Sequence, residues 1–171
     1  MATVVVLNGT SSSGKTTLAR AFQTIAPRLF LNFSIDSILM ALPPDAVSRV
    51  STGADISDLR LPDLVRAFYA CVKTLLDGGH DLVIDHAVTA RYHAELLVAA
   101  TAGHDVLLVG IDCPPEVLSQ REKERGDRRP GMAVQQSEHI HAWLEYDLRV
   151  DSSTERPEDA AARIVRALPR L

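Results

Sequence analysis

Apolar and polar positions along this chain switch between two periods, and the switches mark out its elements. Thr3–Asn8 is a short, continuous, β-branched apolar run, which predicts a buried strand. Leu29, Leu31 and Phe33 alternate with Asn32 and Ser34 and predict a second strand over Leu29–Ser34. Asp81–Asp85 holds Leu82-Val-Ile84 and ends in an acid; Val106–Ile111 is the cleanest apolar run, and Leu148–Val150 is a short last strand. Between them the spacing is helical. Thr17–Ile25 stops at Pro27, and Asp63–Leu76 places Leu64, Ala67, Phe68, Cys71, Val72 and Leu75 on one face. Further helices are expected over Thr89–Ala100, from Pro114-Pro115 to Arg125, over Ala133–Tyr146 and over Glu158–Leu168. Ala46–Leu61 mixes Ser, Gly, Asp and Thr with few apolar residues and predicts an irregular excursion.

Strands that alternate with helices predict an α/β domain with a parallel sheet, covered on both faces through right-handed crossovers. The whole chain, 1–171, is expected to be one such domain. Ligands in these folds sit beyond the carboxyl ends of the strands. The informative residues are therefore those that follow each strand: Gly9–Thr17, Asp36, Asp85 and His86, Asp112, and Asp151–Ser153.

The first of these segments is the most specific. Gly9-Thr10-Ser11-Ser12-Ser13-Gly14-Lys15-Thr16 fits the spacing of a phosphate-binding P-loop without a mismatch, and Thr17 continues into the helix. Glycines allow the loop to turn its amides inward as an anion nest. The following helix points its positive end at the same place. Lys15 is expected to reach the β- and γ-phosphates and Thr16 to ligate Mg²⁺. The plain alternative is a Ser/Gly turn between a strand and a helix.

Composition narrows the partners. The 171 residues carry a net charge of −4, which argues against a polyanion such as nucleic acid. No apolar stretch approaches the ~20 residues that span a membrane, and the apolar run near the N-terminus is too short for a signal peptide. Cys71 and Cys113 lie in apolar surroundings without metal-like spacing, as buried reduced thiols of a cytoplasmic protein would.

Three further groups carry candidate chemistry. Asp36 follows the second strand; a hydroxyl that attacks a γ-phosphate benefits from such a carboxylate, whereas an anionic acceptor needs arginines. Ser34 to Ser48 contains no Arg or Lys, which favours a hydroxyl acceptor. The bland role of Asp36 is to cap a helical turn, with Ser37 as its rival. Asp85 ends an apolar strand as a Walker-B acid does, and can hold Mg²⁺ through water or orient the acceptor. His86 beside it is either a hydrogen-bonded histidine or an acceptor contact. Arg121, Arg125, Arg128 and Arg129 crowd a helix end and the loop after it, where a parting phosphoryl group would find cations. The alternative is a solvated charged face, with Glu122, Glu124 and Asp127 paired to them on the surface beside Lys123. The apolar residues after Asp36, including Met40, suit a pocket for a neutral, partly aromatic alcohol.

Together these residues resemble a known family. Leu7-Asn-Gly-Thr-Ser-Ser-Ser-Gly-Lys-Thr-Thr17, Ser34-Ile-Asp-Ser37, Arg121-Glu-Lys-Glu-Arg-Gly-Asp-Arg128 with Gly131-Met-Ala, and Glu145-Tyr-Asp147 before Val150-Asp151 are similar to the chloramphenicol 3-O-phosphotransferases. The resemblance implies a three-layer, nucleotide-kinase-like fold with strand order 2-3-1-4-5 and an Arg-rich lid near residues 121–135. It implies transfer of a phosphoryl group from ATP·Mg²⁺ to a primary hydroxyl, with Asp36 as base; the residues themselves add Lys15, Arg125 and Arg128 as catalytic cations. Arg121 and Arg125 join the P-loop as nucleotide contacts; Asp36, Ser37, Met40, Asp85 and His86 become acceptor contacts. Two features depart from the pattern. His86 stands where relatives carry a second acid, and the segment between Met40 and Leu64 differs in length and composition. A kinase for another acceptor, such as a nucleotide sugar in the manner of the zeta-toxin kinases, is the nearest alternative. A nucleotide-binding regulator with no small acceptor is a third.

Overall fold

The computed structural model describes residues 1–125 and 131–169. Five parallel strands form its centre: β1 (Thr3–Asn8), β2 (Leu31–Ser34), β3 (Leu82–His86), β4 (Asp105–Asp112) and β5 (Leu148–Asp151). Their order is β2-β3-β1-β4-β5. β1 lies in the middle, with Val5 opposite Val83 on one side and Leu107 on the other. All six of its residues are buried, because helices cover both faces of the sheet.

Alternation along β1 divides the core. Val5 and Leu7 pack with Val109 and Ile111 against α1 (Lys15–Ile25) and α8 (Pro157–Ala167), through Leu18, Phe22 and Ile164. Val4 and Val6 pack on the opposite face with Ile84 against α4 (Leu61–Asp77) and α5 (Arg91–Thr101), through Phe68, Val72 and Leu97. Burial of this kind stabilises by about 25 cal/mol per Å² of apolar surface, which makes the two faces the main source of cohesion. α2 (Ile35–Leu39) and α3 (Pro44–Thr52) cap the carboxyl edge beside β2, and α6 (Pro115–Arg125) and α7 (Met132–Ser137) border it beyond β4.

Five expectations change. The segment after Pro43 is a helix over Pro44–Thr52 rather than an irregular excursion. Pro44 opens it where a missing N–H costs nothing, Asp45 sits in its first turn and Gly53 closes it at φ 72°. The inward face of α4 is rotated from the one the apolar spacing predicts: Phe68, Tyr69, Val72 and Leu76 are buried, and Cys71 is exposed. Cys113 is half-buried, and both thiols are free. β2 begins at Leu31, and Leu29 is exposed. Finally, the helix expected over Ala133–Tyr146 stops at Ser137.

The early stop has its cause in packing against distant strands. Tyr146 lays its ring over Gly110 of β4, and its hydroxyl accepts from Asn8 Nδ2 at 2.6 Å and lies 2.8 Å from His141 Nδ1. A continued helix could not bring these groups down onto the sheet. A Cβ at Gly110 would stand 2.9 Å from that ring. Gly110→Ala is therefore expected to cost about 1–3 kcal/mol through overpacking. At about 2–4 °C per kcal/mol for a domain of this size, thermal unfolding should begin several degrees earlier. An unchanged midpoint would mean that Tyr146 is not held where it is described.

Candidate active site at the carboxyl edge of the sheet

β1 ends at Asn8, and the chain turns at once into the P-loop. Gly9 is required by a close approach and not by its backbone angles: a Cβ there would lie 2.7 Å from Ser13 Oγ and 3.1 Å from Ile111. Gly14 is the residue that needs freedom of φ, at 89°, where it caps α1. Ser12 also takes a positive φ of 59°. Within this loop Lys15 Nζ donates to Thr10 O at 2.7 Å and stands 3.8 Å from Asp85 Oδ1. Thr16 Oγ1 donates to Asp85 Oδ2 at 2.6 Å. The strand-end acid of β3 and the end of the P-loop thus meet at one point.

These groups line a cavity of about 690 Å³. One half is bordered by the P-loop, α6 and the loop after β5. Arg121 reaches from α6 to Ser152, with Nη2 2.8 Å from its carbonyl and Nη1 3.2 Å from its hydroxyl. Arg125, one turn later, lines the same cavity. The other half is bordered by Ile35, Asp36, Leu39, Val50, Asp85 and His86. α2 explains which of its residues take part. Positions 35, 36 and 39 share the face towards the cavity, whereas Ser37 and Met40 are exposed and do not line it. Arg128 and Arg129 lie outside the described residues.

The loop suits a polyanion on grounds independent of its sequence pattern. Thr10 Oγ1, Ser12 Oγ and Ser13 Oγ are buried and, among the described residues, have no hydrogen-bond partner. A buried polar group in that state costs about 1–3 kcal/mol, which phosphate oxygens would relieve. Thr16 and Asp85 offer the hard oxygen ligands that suit Mg²⁺ when nucleotide phosphates complete its shell.

Several supporting residues carry no signal that spacing alone reveals. Asn8 is fully buried; its Oδ1 accepts from Val88 N at 2.8 Å and its Nδ2 donates to Ile140 O at 2.8 Å. Gln136 of α7 accepts the Ser11 N–H at 2.7 Å. Glu122 is buried instead of pairing on the surface, and accepts the N–H groups of Gly131 and Ala133 at the start of α7. It thereby ties α6 to α7 across the border of the cavity.

Known proteins fall in line with this geometry. The family model described as "Chloramphenicol phosphotransferase-like protein" matches residues 2–169. A Mycobacterium tuberculosis protein named "Putative O-phosphotransferase Rv2636" is 31% identical over 168 residues, covering 88% of this chain and 75% of its own length. Among solved structures, an unliganded sugar kinase from Janibacter sp. HTCC2649 superposes with a TM-score of 0.70 at 22% identity, over 97% of this chain and 93% of the other. The APS kinase of M. tuberculosis, solved with AMPPNP and APS, gives 0.69 at 18% identity over 96% of each chain. The structural likenesses establish a P-loop kinase fold. The family match and the identity to the mycobacterial relative go further: this chain belongs to the chloramphenicol phosphotransferase-like family.

Proposed function

We propose that this chain is an ATP-dependent O-phosphotransferase that moves the γ-phosphoryl group to a hydroxyl of a neutral small molecule, with a chloramphenicol-like alcohol as the leading acceptor. Its place in the family and its P-loop kinase fold make it a kinase-type phosphotransferase. The finer reading rests on one observation: Asp36 lines the same cavity as Lys15, Thr16 and Asp85. In this reading the acceptor hydroxyl loses its proton to Asp36 while its oxygen bonds to the γ-phosphorus. The bond from that phosphorus to the β–γ bridging oxygen breaks, and ADP leaves with the electron pair. Lys15 and the loop amides hold the phosphates, and Arg125 stabilises the charge that spreads over the transferred group. Mg²⁺, held by Thr16 and by Asp85 directly or through water, would neutralise phosphate charge.

The acceptor half favours an uncharged alcohol. Among the described residues its walls are Ile35, Leu39, Val50, Ala87 and His86 around two carboxylates. The stretch from Ser34 to Ser48 that borders this half carries no Arg or Lys to receive an anionic acceptor such as a nucleotide sugar. The deciding experiment is an acceptor screen that follows ATP consumption with neutral alcohols, chloramphenicol among them, and with nucleotide sugars. Turnover of nucleotide sugars alone would replace this reading with the alternative.

The two described arginines are expected to act differently. Arg121 is fixed between the P-loop and Ser152, so Arg121→Ala should mainly raise KM for ATP, by about tenfold for a lost charged hydrogen bond. Arg125 lies one turn further along α6 and lines the cavity, and Arg125→Ala should mainly lower kcat. Steady-state kinetics with unchanged kcat and KM in both variants would make the cluster a solvated surface.

A further inference from the structure

α7 brings one more polar side chain to the phosphate end of the cavity. Met132 and Gln136 stand four apart on this helix, so they share a face, and both line the cavity together with Ser11, Ser12 and Lys15. Gln136 Oε1 accepts the Ser11 N–H at 2.7 Å. That bond settles which way the amide points. A backbone N–H can bond only to the oxygen, so the oxygen faces the loop and the Nε2 amino group, on the same carbon, is left to donate elsewhere. Among the described residues Nε2 has no hydrogen-bond partner.

The side chain projects from a well-anchored support. Ala133 is fully buried, and Glu122 of α6 accepts the N–H groups of Gly131 and Ala133 where α7 starts. Past its end, the buried Ile140 offers its carbonyl to Asn8 Nδ2 at 2.8 Å. α7 is thus tied to α6 on one side and to the strand that feeds the P-loop on the other. The peptide between Thr10 and Ser11 is gripped at both edges: its carbonyl accepts from Lys15 Nζ at 2.7 Å, and its N–H donates to Gln136. The ammonium that would meet the β- and γ-phosphates and the amide of Gln136 are therefore one peptide plane apart. Ser11 lines the cavity, where water would serve its N–H as well as Gln136 does. What Gln136 adds is a neutral donor, at the limb of the loop opposite the start of α1.

We infer that Gln136 is a contact of the γ-phosphate: its oxygen stays on the Ser11 amide, and its Nε2 donates to a non-bridging oxygen of the phosphoryl group that is transferred. This rests on the phosphotransferase reading above and deepens it. Lys15 and the amides at the start of α1 hold the phosphates that ATP and ADP share. Gln136 recognises the one that only ATP carries, so the site tells substrate from spent nucleotide through a residue outside the P-loop pattern. As an uncharged, directed donor it also marks where the oxygens of the parting group must lie.

Binding of ADP and of AMPPNP, each with Mg²⁺, to the full chain tests this by isothermal titration. Gln136→Ala should weaken AMPPNP by about tenfold, the worth of a hydrogen bond to a charged group, and change ADP much less. Gln136→Glu keeps an oxygen for the Ser11 N–H but has no donor and adds a negative charge. It should weaken AMPPNP further, again more than ADP. Equal effects on the two nucleotides in both variants, or none, would leave Gln136 as a prop for the loop and overturn the contact. Tighter binding of both by Gln136→Ala would make the side chain a plug that phosphates displace, and would overturn it too. A parent chain that binds neither nucleotide sinks the kinase reading and this contact together. A parent that binds both but phosphorylates no neutral alcohol sinks the proposed acceptor alone, and the ratio of the two affinities still decides the role of Gln136.

Discussion

Lys15→Ala should lower phosphotransfer by at least about a hundredfold while leaving the fold in place. Lys15 is the first residue of α1, outside both core clusters, with its ammonium between Thr10 O and Asp85. In the proposed mechanism that ammonium is the main side-chain charge at the β- and γ-phosphates. Its loss leaves the amide nest but removes the charge that strengthens as the phosphoryl group parts. Alanine is a good helix former, so α1 should persist. Asp85 keeps the Thr16 hydroxyl, and the thermal midpoint should move little. The checks are kcat/KM with ATP and any working acceptor, alongside circular dichroism. Near-parental turnover in a folded variant would remove the P-loop from the mechanism.

Asp36→Asn should abolish nearly all transfer to an alcohol, since general-base help is typically worth ~10²–10⁴ in rate. Asparagine keeps the shape and most of the hydrogen bonding but cannot accept a proton at neutral pH. Nucleotide binding should be unchanged, because Asp36 follows β2, which β3 separates from the P-loop strand β1. Slow hydrolysis of ATP by water should change much less. Asp85→Asn belongs in the same assay and should behave differently. Asp85 is engaged with Thr16 and Lys15, so its loss should weaken nucleotide and Mg²⁺ binding together. A folded Asp36→Asn chain that phosphorylates its acceptor at the parental rate would transfer the base role to Asp85 or point to an acceptor that is already anionic.

Much of the fold was legible because its strands are short, apolar and separated by helices. β1 and β4 read as buried runs, since helices on both faces leave no reason for alternation. What stayed hidden depends on contacts between distant residues. The end of α7 is set by Tyr146 on Gly110, which no local pattern encodes. α3 was masked by its composition: it buries only Ala46, so it has almost no apolar stripe to detect. The site divides in the same way. The P-loop is legible because backbone conformation dictates its spacing. Asp36 and Asp85 are legible because strand ends are where ligands meet parallel sheets. Asn8, Glu122 and Gln136 were invisible as partners because each acts on a backbone group of another segment. Ser37 and Met40 stood beside Asp36 in sequence, but the turn of α2 carries them to its outer face.

The light burial of α3 has a consequence for how such a protein can change. The nucleotide half of the cavity is intolerant by construction: Gly9 has no room for a methyl group, Gly110 sits under a ring, and Asn8 is fully buried. The acceptor half is walled by Val50 of a helix that contributes a single buried alanine to the interior. Substitution of Val50 is therefore expected to alter the shape of that half of the cavity at little cost to the core. In the proposed function, descent and directed evolution alike can diversify acceptors from that position, while the P-loop remains as it is.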